Sequence, residues 1–326
     1  MIAAMRPWIP VPAPARALSV VVVLVAFFAW AGIARPATDE SSRPRLVSLN
    51  PSLTAIVARL GAVDALVGID DYSARILPSL VDRPRVGGLF DPNLEAILAL
   101  RPDHVLLVAG LEQEAHGKAL RRLGLTVEVF ENERFDQVLA NIDRLGRLVG
   151  REDAAAKRIE AIRETRAAVE RATRARPRPR TLIVLDRSPL YLVGGETFLD
   201  ELLRVVGAEN LGAEVAHGYP RGSLEWLVSA GPELLLDLSP QAEEAESEPG
   251  ADAGAGAGAG TSALAFWARW PSLPAVKSGR VLALDATRIS LPGPDLDRAL
   301  RELAVAVHGP DIDDAIEREL ARRGAP

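Results

Sequence analysis

The chain has 326 residues, 48% of them hydrophobic and 25% charged, no cysteine and a formal net charge of -6. That much apolar material fills one large core or two ordinary ones, which excludes a disordered protein. The acidic balance and the single, scattered basic residues exclude nucleic acid as a partner, and a chain without cysteine has no disulfide framework.

In chain order, Arg16, the apolar run Ala17–Ala34 and the small residues Gly32 and Ala34 have the pattern of a secretory signal peptide over residues 1–34. A run of ~20 apolar residues also spans a bilayer, so an uncleaved N-terminal anchor is the alternative. Either reading places the rest outside the cytoplasm. No lipid-bearing cysteine is present, so a soluble periplasmic monomer starting near Arg35 is expected.

A first lobe is expected over 44–150. Leu46–Leu49, Leu66–Ile69, Val105–Val108 and Val127–Phe130 read as strands alternating with helix-like segments, which implies parallel strands and crossover helices. Asn50-Pro51 and Asp91-Pro92 each read as an N-cap followed by a first-turn proline. Phe135, Val138, Leu139, Ile142, Leu145 and Leu148 keep the three-and-four spacing of an amphipathic helix.

A connecting helix is expected within 151–178, from Glu152 to about Arg174. At ~1.5 Å per residue it is about 33 Å long, and Pro177 and Pro179 terminate it. The second lobe, 179–326, opens on Thr181–Leu185. It closes on Arg280–Leu284 and a helix from about Asp295 to Val307. Between them, 241–262 is acidic and then alternates Gly and Ala, a composition expected to form a disordered surface insertion.

The two lobes repeat each other. Leu94-Glu95 and the fourteen-residue stretch they open recur as Leu224-Glu225 and the stretch to Asp237, and Leu53–Ala62 recurs as Leu199–Ala208, each ending in Gly-Ala. The fold class is therefore α/β, with two similar Rossmann-like lobes joined by a long rigid helix. If the first repeated helix starts at Pro92, then Leu94, Ile97 and Leu98 form its buried stripe and Glu95 points to water. Leu224, Leu227 and Val228 do the same after a Ser223 cap and leave Glu225 outside. One acidic residue in a first turn is accounted for by ~0.3–1 kcal/mol of helix-dipole stabilisation. Two at matched positions present a pair of carboxylates suited to basic residues on a two-fold symmetric partner.

Arg45–Thr54, Val67–Tyr72, Pro84–Glu95 and Arg101-Pro102-Asp103 resemble the helical-backbone substrate-binding proteins of ABC importers for cobalamin, iron siderophores and haem. The likeness covers nearly all of 44–308. It implies a ligand in the cleft between lobes and one surface glutamate per lobe, Glu95 and Glu225, docked on arginines of the permease dimer. Two departures are Ala55, where many members carry an acidic residue, and the Gly-Ala insertion.

In open α/β sheets ligands sit beyond the carboxyl ends of the strands. The loops there point to Asn50, Pro51, Ser52, Tyr72, Leu89, Phe90, Gly110, Gly195, Phe198, Tyr219, Arg221 and Arg288, aromatic faces for a large flat ligand and arginines for its carboxylates or amides. Val193–Leu203 and Gly218–Glu225 are most similar to cobalamin-type members. A ferric siderophore or haem is the alternative, with Tyr72, Tyr219 or His217 available to iron. The metal arrives with the ligand, and no resident cofactor is expected.

An enzyme is not expected. There is no Gly-x-Ser-x-Gly and no His-Glu-x-x-His, and His104, His116, His217 and His308 stand apart. His104, opening an apolar run, reads as a satisfied or edge-facing side chain rather than a ligand. Asp70-Asp71 reads as a turn with two solvated carboxylates.

Overall fold

Four short apolar segments of the first lobe pair in parallel: β1 (Leu46–Ser48), β2 (Leu66–Ile69), β3 (His104–Val108) and β4 (Val127–Phe130), in the order β2-β1-β3-β4. In the computed structural model, residues 43–239 and 262–324 are described. The expected signal peptide and all of the expected insertion except Ser262 lie outside them. Among the described residues no helix is long and apolar enough to cross a membrane.

Parallel neighbours require crossovers, supplied by α1 (Pro51–Arg59), α2 (Asp71–Ile76), α3 (Leu94–Ala99) and α4 (Leu111–Arg122). Helices cover both faces of the sheet, so the inner strands β1 and β3 are apolar through their middles without alternation, whereas the edge strand β4 carries Glu128. Leu46 and Leu106 enter one core cluster, and Val47, Val105 and Leu107 enter another with Ile97 and Leu120.

Next come α5 (Phe135–Leu148) and the 22-residue α6 (Glu152–Thr173). The predicted stripe of α5 is buried at Phe135, Val138, Leu139, Ile142 and Leu145. α6 stops short of Pro177, its last turn closed by the Thr173 hydroxyl donating to the Val169 carbonyl at 2.9 Å.

The second lobe contains β5 (Arg180–Arg187), β6 (Leu190–Leu192), α7 (Phe198–Val205), β7 (Glu209–Asn210), α8 (Leu224–Ala230) and β8 (Leu234–Asp237). After the insertion follow α9 (Ala263–Trp267), α10 (Pro274–Lys277), β9 (Val281–Ala283), α11 (Ala286–Ile289), α12 (Leu296–His308) and α13 (Asp311–Gly324). The sheet order is β6-β5-β8-β9, with β7 beside β5.

This sheet departs from the expected copy of the first, because β6 runs antiparallel to β5. Only Ser188-Pro189 separates them, too few residues for a crossover, and Asp186 Oδ1 accepts the Ser188 N–H at 2.9 Å to close the turn. Ser262 is not part of the insertion in structural terms: it caps α9 through Oγ, which accepts the Ala265 N–H at 3.3 Å. The unpredicted α13 buries Ile312 and Ile316 and ties to α6 through Arg171–Glu319 at 2.7 Å.

One apolar cluster runs without a break from Leu46 and Ile56 in the first lobe, through Phe135, Ile142, Ile162 and Val169, to Phe198, Leu202, Leu300 and Ile316. The lobes therefore share a core along α6 rather than meeting only through a strand linker. The repeat is also visible in backbone detail. α1 and α7 both end on a left-handed glycine, Gly61 at φ 72 and Gly207 at φ 76. In each, the alanine that follows donates back into the last turn, Ala62 to Val57 at 3.1 Å and Ala208 to Leu203 at 2.9 Å.

Candidate functional site

The two repeated glutamates sit on the same local device. Asn93 caps α3 by accepting the Ala96 N–H at 3.0 Å, and Ser223 caps α8 by accepting the Trp226 N–H at 3.1 Å. The helix thus begins at Leu94 rather than Pro92, because Asn93 supplies the capping oxygen and Asp91-Pro92 folds over Gly87 in the preceding loop. Burial then follows the same sequence in both copies: Leu94 and Leu224 half-buried, Glu95 and Glu225 exposed, Ile97 and Leu227 fully buried.

Both helices exit through a left-handed residue, Arg101 at φ 46 and Gly231 at φ 59, followed by proline. The next residue is an acid that grips the chain at the start of the lobe's first strand. Asp103 Oδ2 accepts the Arg45 N–H at 2.8 Å, and Glu233 Oε2 accepts the Arg180 N–H at 3.0 Å. Each glutamate is therefore displayed by a short helix anchored to the sheet of its own lobe. The Glu225 carboxyl is held below the ordinary range by its own backbone N–H and by the Ser223 hydroxyl.

At the carboxyl ends of the first-lobe strands, Asn50 is half-buried at the N-cap of α1, its Oδ1 accepting the Ser52 N–H at 2.9 Å. Pro51 and Ser52 do not reach the surface, because the first turn of α1 is packed into the core. Tyr72 is 36% exposed with the Arg75 guanidinium 4.6 Å from its ring centre, and Phe90 is 66% exposed beside half-buried Leu89. Gly110 is exposed at the entry to α4.

In the second lobe Tyr219 and Arg221 are exposed on a segment that runs along β6. Three residues are placed otherwise than expected here. Phe198 is only 2% exposed and belongs to the core, as the first residue of a helix whose apolar face turns inward. Gly195 is buried in a backbone ladder, donating to Ala216 and accepting from Gly218, both at 2.9 Å. Arg288 lies on α11 rather than in a loop, and its guanidinium is paired with Glu302.

Sequence reasoning missed Tyr191, 40% exposed between buried Leu190 and Leu192 and bridged to Arg221. Its signal lay in a hairpin only three residues deep. The lobes face each other here: Glu133, after β4, acts on Tyr219 of the second lobe. Loss of hydration, reinforced by that negative charge, raises the Tyr219 phenol above its ordinary pKa. A cavity of about 670 Å³ at the lobe junction is lined by Glu133, Arg134, Arg166, Glu196, Glu201 and Arg204, among others.

Beneath the first-lobe face Asp70 is fully buried, not solvated. It caps α2: Oδ1 accepts the Ser73 N–H at 2.8 Å and Oδ2 accepts the Ser73 hydroxyl, whose oxygen is 3.0 Å from Thr54 Oγ1. Desolvation raises its pKa despite these bonds. The folded chain therefore holds this proton to higher pH than the unfolded one. The contribution of Asp70 to stability falls as pH rises from ~3.9 through the raised folded value, and is flat beyond it. Asp70→Asn keeps the cap and loses the charge, so it should gain stability relative to the parent as pH climbs through that window. Unfolding midpoints of both proteins from about pH 4 to about pH 8 check this, and a pH-independent difference would contradict it.

The second lobe buries an ion pair at the same level. Asp237 Oδ2 accepts from Arg187 Nε at 2.9 Å and from Trp267 Nε1 at 2.6 Å, while Oδ1 accepts the Ser239 N–H at 3.0 Å. His104 is satisfied by Glu128 at 3.2 Å, at the start of the inner strand β3. Among the described residues no group of three or more His, Asp or Glu side chains is placed to hold a bare metal ion.

A family model described as Periplasmic binding protein matches residues 46–287. The chain belongs to that family, whose two-lobed α/β fold it has. A cobalamin-binding protein of Halobacterium salinarum is 27% identical over 280 residues, 84% of this chain and 72% of that protein. The periplasmic vitamin B12 binding protein of Vibrio cholerae superposes with a TM-score of 0.65 at 22% identity, over 85% of this chain and 98% of the other. A periplasmic heme binding protein from Pseudomonas aeruginosa gives 0.63 at 26% identity, over 82% and 93%. The family and these neighbours are solute-binding proteins, not enzymes.

Proposed function

We propose that this protein captures a corrinoid such as cobalamin between its lobes in the periplasm and delivers it, as a monomer, to the permease dimer of an ABC importer. The observation that carries the delivery step is the duplication of the α3 and α8 device. Capping bond, burial sequence, left-handed exit and anchoring acid all recur, so Glu95 and Glu225 form a matched pair of rigid anionic contacts. A two-fold arrangement of permease arginines is the complementary surface.

For the ligand, the support is aromatic surface on both sides of the cleft: Tyr72 and Phe90 on one lobe, Tyr191 and Tyr219 on the other. Aromatic side chains bury roughly 150–250 Å² each when covered, and stacking suits a broad, flat macrocycle. The resemblance of Val193–Leu203 to cobalamin-type members and the Halobacterium relative point the same way. Haem or a ferric siderophore is the second reading, favoured by the Arg75 cation over the Tyr72 ring. Titration of the mature chain with cyanocobalamin, haem and a ferric siderophore, followed by tryptophan quenching, decides. Saturable one-to-one quenching by cyanocobalamin is expected. Binding of haem with a shifted Soret band, and no response to cyanocobalamin, would overturn the corrinoid assignment.

A further inference from the structure

The first N–H of α5, on Phe135 in the first lobe, has its acceptor in the second lobe: Glu201 Oε2, on α7, at 2.9 Å. The other oxygen of that carboxylate receives Arg166 Nη1 of α6 at 3.3 Å. Arg166 in turn lies 4.5 Å from the centre of the Phe135 ring and donates through Nε to Glu170 at 3.0 Å. One carboxylate thus joins the first lobe, the connecting helix and the second lobe.

Helix N-termini carry unmet N–H groups and partial positive charge, normally answered by a capping side chain close in sequence. α5 has none for Phe135. The N-cap residue is Arg134, which has no side-chain acceptor, and Gln137 Oε1 is occupied by the Arg134 N–H at 3.0 Å. The anion comes from the other lobe instead. The apolar contacts around this junction, Phe135, Phe198, Leu199 and Leu202, hold the lobes together but are non-directional, whereas charge-assisted hydrogen bonds also fix an orientation.

We propose that Glu201 is a positioning residue which sets the angle between the lobes by capping α5 from across their junction, so that the cleft has its working width before any ligand arrives. The idea is independent of what the ligand is, and its tests use ligand-free protein. The chain has no cysteine, so cysteines introduced at exposed Lys118 of the first lobe and Lys277 of the second accept spin labels without background. The parent should give one narrow inter-lobe distance. Glu201→Ala should broaden and shift it. Glu201→Gln, which keeps an oxygen for the Phe135 N–H, should retain most of the narrow component. An unchanged distribution in Glu201→Ala overturns the proposal, and so does equal broadening in both variants. Amide exchange at Phe135 in the parent is an arm that needs no substitution. Protection comparable to the interior of α5 is expected, and exchange at the rate of an uncapped helix end would overturn the proposal even if Glu201→Ala failed to fold.

Discussion

Reversing both exposed charges, Glu95→Arg with Glu225→Arg, should abolish uptake through the permease while leaving ligand affinity nearly intact. Truncating one partner of a close interfacial charge pair costs roughly 2–5 kcal/mol, and reversal adds repulsion. At about 1.4 kcal/mol per tenfold, each single reversal weakens docking by well over tenfold, and the pair removes it. The fold should survive. Neither glutamate supplies its helix cap, which comes from Asn93 and Ser223, and neither is in the buried stripe of Ile97 and Leu227. The local loss is the first-turn dipole contribution, ~0.3–1 kcal/mol per helix. The check pairs uptake of labelled ligand into proteoliposomes holding the permease with equilibrium binding to the free protein. Normal uptake by the double variant would remove Glu95 and Glu225 from the docking surface.

The largest effect on stability is expected at Asp237. Its side chain is wholly shielded from solvent and that of Arg187 is 2% exposed. Asp237→Ala would remove the buried carboxylate to which both Arg187 Nε and the Trp267 indole N–H donate. Breaking one side of a buried pair costs roughly 3–5 kcal/mol, a large part of the ~5–15 kcal/mol that holds a typical domain. Chemical denaturation followed by tryptophan emission should show the midpoint falling steeply. Asp237→Asn, which keeps an acceptor for Arg187 and Trp267, should lose less. A cost below about 1 kcal/mol for Asp237→Ala would mean that water or neighbouring groups take over the pairing.

Much of this architecture was legible before any coordinates. Leu46, Leu66 and Val105 announce strands because a sheet covered on both faces needs apolar runs in its interior. The six apolar positions of α5 carry a helical period no other fold would produce. The Glu95 and Glu225 frames were readable because duplication wrote the same pattern twice. Other features depend on partners remote in sequence. Asp70 looks like a turn carboxylate until Ser73 and Thr54 close over it. Tyr191 is visible only once β5 and β6 have paired. Phe198 stands in a loop-like context but is the inward first residue of α7. Glu201 reads as one more acid on a helix face, since its role belongs to Phe135 of the other lobe.

The unbroken core along α6 has a consequence for cargo release. On the carrier role proposed above, halves joined by shared side chains resist wide thermal opening, which favours keeping a bound solute until docking. On the docking proposed above, the transporter must supply the wrench. Asp103 and Glu233 bolt the short helices bearing Glu95 and Glu225 to the sheets behind them, so traction on those two points moves whole lobes instead of bending surface loops.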